Sequence, residues 1–209
     1  MVNEGQGGDG LVRFILMIGI IIGEVGKGHA QGDEEQYEYH VLATSRTSTM
    51  EKELNEMAHQ GFRFASVMGG KTLFGGNETV VVMSKPEESA SQVLYEYKLL
   101  ATNKTSTMEK EMKAAGKEGY AYSGQTVFQT NFRGKEVIVI MERPIALTPV
   151  YYTYKLLPTS KTSTMHKELN EVGVEGYILK GLTVAKTMFG GPELASILAR
   201  VAQREGVEE

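Results

Sequence analysis

The sequence predicts an α+β protein of three tandem βαββ units, each a small antiparallel three-stranded sheet with one helix on one face. Three recurrences carry this. Tyr37-Glu-Tyr-His-Val-Leu-Ala-Thr44 returns at Tyr95–Thr102 and at Tyr152–Thr159, offsets of 58 and then 57 residues. Thr-Ser-Thr-Met at 47–50 recurs at 105–108 and 162–165, and Gly61-Phe62 recurs as Gly119-Tyr120 and Gly176-Tyr177. Between 37–54 and 95–112, 13 of 18 positions are identical, so duplication accounts for the pattern. The units fall at 37–86, 95–144 and 152–209.

Each unit parses by period. Its first segment alternates, with Tyr37, Tyr39 and Val41 on one face and Glu38, His40 and Leu42 on the other, as a partly buried strand requires. A helix start follows. Ser48 with Glu51, and Ser106 with Glu109, have capping-box spacing, while His166 replaces the glutamate in the third unit. Met50, Leu54 and Met57 form an apolar stripe, as do Met108, Met112 and Ala115, and Met165, Leu169 and Val172; these side chains are expected in the core. Gly61, Gly119 and Gly176 stand where a left-handed residue ends a helix.

A second strand runs over Phe62–Met68 and a turn at Gly75-Gly76 leads to a third at Thr79–Met83, matched in unit 2 by Val137-Ile-Val-Ile-Met141. A β-branched run without alternation indicates a strand covered on both faces, so the third strand belongs in the middle, in the order 2-3-1 with every neighbour antiparallel. A unit of this size buries only about 60% of its unfolded surface. Cover for the second face of the central strand must come from neighbouring units, across the short joints at 87–94 and 145–151.

The third unit departs from this plan. After Gly191 it reads Pro192-Glu-Leu-Ala-Ser-Ile-Leu-Ala-Arg-Val-Ala202, where Pro192 suits the first helical position and Leu194, Ile197, Leu198 and Val201 form a stripe before Arg204 and Gly206. The expectation is a helix in place of the last strand. It would leave a gap or exposed edge in the third sheet, where a strand from a protein partner or a second molecule adds.

Ahead of the repeats, Phe14-Ile-Leu-Met-Ile-Gly-Ile-Ile-Ile22 is an apolar run followed by Gly28 and Ala30 at the −3 and −1 positions of a signal-peptidase site. Residues 1–30 are thus expected to be a signal peptide cleaved near Ala30, directing the chain to the periplasm or medium. The run is too short for a membrane span, which needs about 20 apolar residues. Residues 1–10 are acidic and glycine-rich, which fits a true start at Leu11 or Val12, with Arg13 as the leader's positive charge.

Several chemistries are excluded. The net charge of −4 and the lack of any basic run argue against nucleic-acid binding. Cysteine is absent, and the two aspartates, Asp9 and Asp33, precede the repeats, so neither a thiolate site nor a Ser-His-Asp triad is available within them. His29, His40, His59 and His166 occupy unrelated repeat positions without metal-ligand spacing, and no cofactor motif is found. Gly70-Lys71-Thr72 lacks the first glycine of a phosphate loop, since residue 65 is Ala. One recurring constellation points to a ligand. Arg46, Lys104 and Lys161 each precede a Thr-Ser-Thr, so that a cation, free N–H groups and the hydroxyls of Ser48, Ser106 and Ser163 converge where a helix dipole favours an anion. Capping by those hydroxyls explains the same residue types.

Tyr-Glu-Tyr-Lys-Leu-Leu at 95–100, Met-Glu-Lys-Glu-Leu-Asn-Glu at 50–56 and Glu-Gly-Tyr at 118–120 and 175–177 together resemble the bacterial domain-of-unknown-function 4177 family. The likeness covers 37–86, 95–144 and 152–191, with Phe or Tyr where many such domains have Trp after the glycine. It implies this fold and a bacterial setting, and transfers no functional residue. Two function classes follow. One is an exported binding or structural module that presents a surface to a protein or small ligand; the other is an enzyme with a site between repeats. The first is favoured because repeat proteins commonly bind and catalytic residue types fail to recur.

Overall fold

A computed structural model describes residues 36–71, 76–87, 93–130, 134–186 and 192–202. The expected export signal at 1–30, its start and cleavage points, the turn residue Gly75, and Arg204 and Gly206 lie outside the described residues. The described residues belong to one compact unit.

The elements are β1 (Tyr37–Thr44), α1 (Thr47–His59), β2 (Arg63–Lys71), β3 (Asn77–Pro86), β4 (Tyr95–Thr102), α2 (Thr105–Lys117), β5 (Ala121–Thr130), β6 (Gly134–Pro144), β7 (Tyr152–Thr159), α3 (Thr162–Val174), β8 (Ile178–Lys186) and β9 (Pro192–Val201). They form three sheets, ordered β1-β3-β2, β4-β6-β5 and β7-β9-β8, each antiparallel throughout. The third strand of each unit is central, as its unbroken apolar run requires.

β9 overturns the expected C-terminal helix. Residues 192–201 pair with β7 on one side and β8 on the other, so sheet 3 has neither gap nor missing strand, and no partner strand is needed there. The stripe Leu194, Ile197, Leu198 misled because Ala195–Ala199 is buried on both faces of a central strand, which removes the alternation that marks a half-covered one. A helix here would strip the inner edges of β7 and β8 of their hydrogen bonds. That loss outweighs the tenths of a kcal/mol by which Leu and Ala favour helix. Pro192 is tolerated as the first residue of the strand.

Helix ends follow the expected glycines. Gly61, Gly119 and Gly176 have φ of 90°, 90° and 82°, a region that only glycine enters cheaply. Around Gly61, Phe62 N donates to Met57 O at 3.1 Å and Gly61 N to Ala58 O at 3.0 Å, the paired bonds that satisfy a helix's last carbonyls. Helix starts differ from expectation. Each helix begins at Thr47, Thr105 or Thr162, the preceding Arg46, Lys104 or Lys161 makes no side-chain cap bond, and Ser48, Ser106 and Ser163 are second helical residues. The capping box therefore does not form.

The units stack so that each of the first two helices is clamped between its own sheet and the next. α1 places Met50, Leu54 and Ala58 against Leu42, Val81 and Met83 of sheet 1, and against Tyr97, Phe128, Ile138 and Ile140 of the second unit. α2 repeats this with Met108, Met112 and Ala115 between Val137, Val139 and Met141 below and Tyr154, Leu156, Ile197 and Ala199 above. Among the described residues α3 packs on its own sheet alone, through Val172, Tyr177 and Leu198, with Leu157 and Leu169 partly buried.

Candidate interaction surfaces

At each helix start the chain itself supplies an acceptor for the N–H of the N-cap residue. Thr44 Oγ1 accepts from Arg46 N at 3.1 Å, Thr102 Oγ1 from Lys104 N at 3.2 Å and Thr159 Oγ1 from Lys161 N at 3.3 Å. The pairs Arg46 with Ser48, Lys104 with Ser106 and Lys161 with Ser163 belong to three different layers of the stack. At α2 a carboxylate is already present, since the buried Thr105 donates its hydroxyl to Glu193 Oε1 of unit 3 at 2.7 Å. The positive end of that helix thus faces an internal anion.

The glutamate expected in the capping box serves the joint between units. β4 is an edge strand, and its outward backbone groups meet α1. Glu51 Oε2 accepts from Leu99 N at 2.8 Å, while the Asn55 amide accepts from Tyr97 N at 2.8 Å and donates to Tyr97 O at 3.0 Å. Two side chains one helical turn apart stand in for a missing strand, which keeps the edge from pairing with another chain. The second joint is looser: Glu109 Oε2 lies 3.4 Å from Leu156 N, and Lys113, at the Asn55 position, pairs with Glu109 instead.

Each joint also buries a tyrosine. Tyr97 OH accepts from Phe64 N at 2.8 Å and donates to Glu142 Oε2 at 3.2 Å, and Glu142 holds Arg63 at 2.6 Å. Tyr154 OH donates to Tyr120 O at 3.0 Å. Burial first, and for Tyr97 the neighbouring Glu142 charge next, pushes both phenols above their ordinary range. Glycines allow the sheets to approach: a Cβ at Gly124 would stand 2.6 Å from Phe64 Cζ, and one at Gly181 would stand 2.5 Å from Tyr122 OH.

Beside α2, Glu96, Glu118, Arg143, Pro144, Leu147 and Tyr151 help line a groove of about 440 Å³. Three of its charged residues, Glu96, Glu118 and Arg143, are ion-paired. Arg143 Nη2 meets Glu96 at 2.7 Å, and Lys98 meets Glu118 at 2.5 Å, holding the Glu118 carboxyl below its usual range. Arg143 Nη1 also donates to Glu118 O, as Arg200 does to Glu175 O, and both guanidiniums lie over the aromatic that follows the glycine. This clamp on the helix end recurs at matching repeat positions, and the sequence carries its signal in Arg143 and Arg200, which match only when residues 192–201 are the third strand of unit 3.

The two ends of the stack are unlike the joints. Tyr39 on β1 is 64% exposed whereas its counterparts Tyr97 and Tyr154 are 2% and 0% exposed, and Val41 is 61% exposed where its unit-3 counterpart Leu156 is 4% exposed. Met68 is exposed on the same face of sheet 1, and Val80 and Val82 are half-buried where Ile138 and Ile140 are fully buried. Among the described residues no helix precedes sheet 1 and no sheet follows α3. At that far end Val174, Leu179, Leu182 and Val184 are exposed. A Cβ at Gly173 would stand in open space, whereas one at its counterpart Gly116 would stand 2.9 Å from the Tyr154 ring.

Among the described residues no helix is long and apolar enough to cross a membrane, and no group of three or more His, Cys, Asp or Glu is placed to hold a metal. No family model, curated protein or solved structure matches the chain.

Proposed function

We propose that this chain is an exported bacterial module that acts by contact, through the end faces of its stack, rather than by catalysis. The observation that carries this reading is the open face of sheet 1. Tyr39, Val41 and Met68 present there the apolar, tyrosine-rich surface that units 2 and 3 bury against a helix. Contiguous exposed apolar surface of this kind marks interaction sites. Export is supported by the run Phe14–Ile22 with Gly28 and Ala30 behind it, and the bacterial setting by the resemblance to the domain-of-unknown-function 4177 family. A net charge of −4 favours a protein partner over nucleic acid. The pairing of Glu118 with Lys98, which holds its carboxyl below the usual range, and of Glu96 with Arg143 argues against the groove beside α2 as a general-acid site.

The test is a photo-reactive residue in place of Tyr39, expressed in the native cells. The expected result is a light-dependent cross-link to protein in the extracytoplasmic fraction, with a mature N-terminus at Gln31 by mass spectrometry. An intact leader would end the export claim, and a chain that never cross-links from position 39 would end the contact claim.

A further inference from the structure

Resting on that contact reading, we infer that the open face of sheet 1 takes α3 and β8 of a second copy of this chain. The molecules then join head to tail through another edition of the joint that already holds their own units together. In that joint a helix stripe and an edge-pairing asparagine of one unit meet the tyrosine face of the next. Among the described residues the stack ends in one unused half of each kind: β1 carries the tyrosine face with no helix on it, and α3 carries the helix stripe with no sheet beyond it.

The fit is specific. Tyr39 stands opposite Ser84 in sheet 1 as Tyr97 stands opposite Glu142 in sheet 2, so the two strands turn the same backbone groups to their free edges. Asn170 occupies the repeat position of Asn55. Its Nδ2 donates to His166 O at 2.7 Å as Asn55 Nδ2 donates to Glu51 O at 2.9 Å, which leaves its carbonyl set to receive a strand N–H as Asn55 receives Tyr97 N. Gly173 keeps clear the space into which, at Gly116, the following unit's Tyr152 carbonyl and Tyr154 ring enter. Val174, 92% exposed at the end of α3, and the exposed Leu182 and Val184 on β8 add apolar surface on the side where the next sheet would lie. Because the two faces are different patches, the contact is heterologous and propagates instead of closing on itself as a twofold dimer would.

Two variants of the full chain test this by complementation. Tyr39→Lys changes an exposed side chain of the sheet face, and Gly173→Arg fills the open space on the helix face; circular dichroism and melting temperature should stay at the wild-type level or, for Gly173→Arg, rise. In sedimentation velocity the wild-type chain should gain mass with concentration in steps of one chain. Each variant alone should stay monomeric, with self-affinity at least tenfold weaker. An equimolar mixture should form dimers and nothing larger, since the intact α3 face of Tyr39→Lys fits the intact sheet face of Gly173→Arg. A wild-type chain of constant mass, a mixture without dimers, or a variant that associates like wild type would each overturn the inference. If the wild type is monomeric while position 39 still cross-links to another protein, the second copy falls and the contact reading stands. If it is monomeric and position 39 cross-links to nothing, both fall.

Discussion

The repeat makes each side chain its own control, because the same position is seen inside the stack and at its end. Leu54 is fully buried between two sheets, whereas Leu169, its counterpart, is only partly buried against one. Leu54→Ala should therefore cost about 2–5 kcal/mol, and Leu169→Ala clearly less, measured by urea unfolding of the monomer. Equal losses would mean that α3 is covered on both sides. The buried tyrosines give a pH signature. A phenol ordinarily titrates at 10.0, and burial pushes Tyr122 up to about 12 and Tyr97 and Tyr154 up as well. The unfolded chain then loses these protons first, so their contribution is fully present below pH 10 and is lost as pH rises through the folded values. Tyr154→Phe should cost about 0.5–1.5 kcal/mol at neutral pH through the lost bond to Tyr120 O. It should also flatten the fall in stability above pH 10. An alkaline limb as steep as that of wild type would show that Tyr154 is not a source of it.

At the level of elements, the close approach of α2 to β7 turns on one glycine. A Cβ at Gly116 would run into the Tyr152 carbonyl and stand 2.9 Å from the Tyr154 ring, while one at Gly173 would meet nothing within 4 Å. Gly116→Ala should thus destabilise despite the better helix propensity of alanine, and Gly173→Ala should stabilise the monomer by about 0.5–1 kcal/mol. Thermal melts of the two variants read the opposite signs directly. Most of the elements were legible in the sequence for a physical reason: alternation in Tyr37–Leu42, the Met50 and Leu54 stripe, and Gly61 with its φ of 90° are all local signals. β9 was not, because a strand covered on both faces has no period, and only its neighbours distinguish it from a helix. Nor was the use of Glu51. Three residues after Ser48 it satisfies a capping template, but the backbone starts the helix two residues early, with Arg46 at the N-cap position, and an edge N–H of the next unit, 48 positions away, claims the carboxylate. The end faces were half legible, since the apolar side of β1 was plain in Tyr37, Tyr39 and Val41, while the lack of a covering helix among the described residues follows only from the order of stacking.

For the molecule as a whole, stability follows the order of layers, because each unit contacts its sequence neighbours and the terms add along the stack as in other repeat arrays. Units 1 and 2 share a core through α1, and units 2 and 3 share one through α2, but among the described residues Val172 and Leu169 of α3 pack in a small cluster with Tyr177, Leu198 and Leu157 of their own unit. Opening α3 breaks one set of packing contacts, whereas opening α2 must part sheet 2 from sheet 3 and uncover Met108, Met112, Ile197 and the buried phenol of Tyr154 together. Local opening free energy should accordingly be lowest at the α3 end and highest around β6, whose residues 136–141 are all buried. Native-state amide exchange on the dilute monomer measures this. Protection in α3 should be at least tenfold below that in α1 and α2, which corresponds to a difference of about 1.4 kcal/mol or more in opening free energy. The same α3 amides should gain protection as the chain is concentrated if a second sheet closes over them, while amides of α2, already clamped on both sides, should stay as they are. Uniform protection across the three helices in the monomer would mean that the last layer is as well held as the inner ones, and the stack would then have no open end on its helix side.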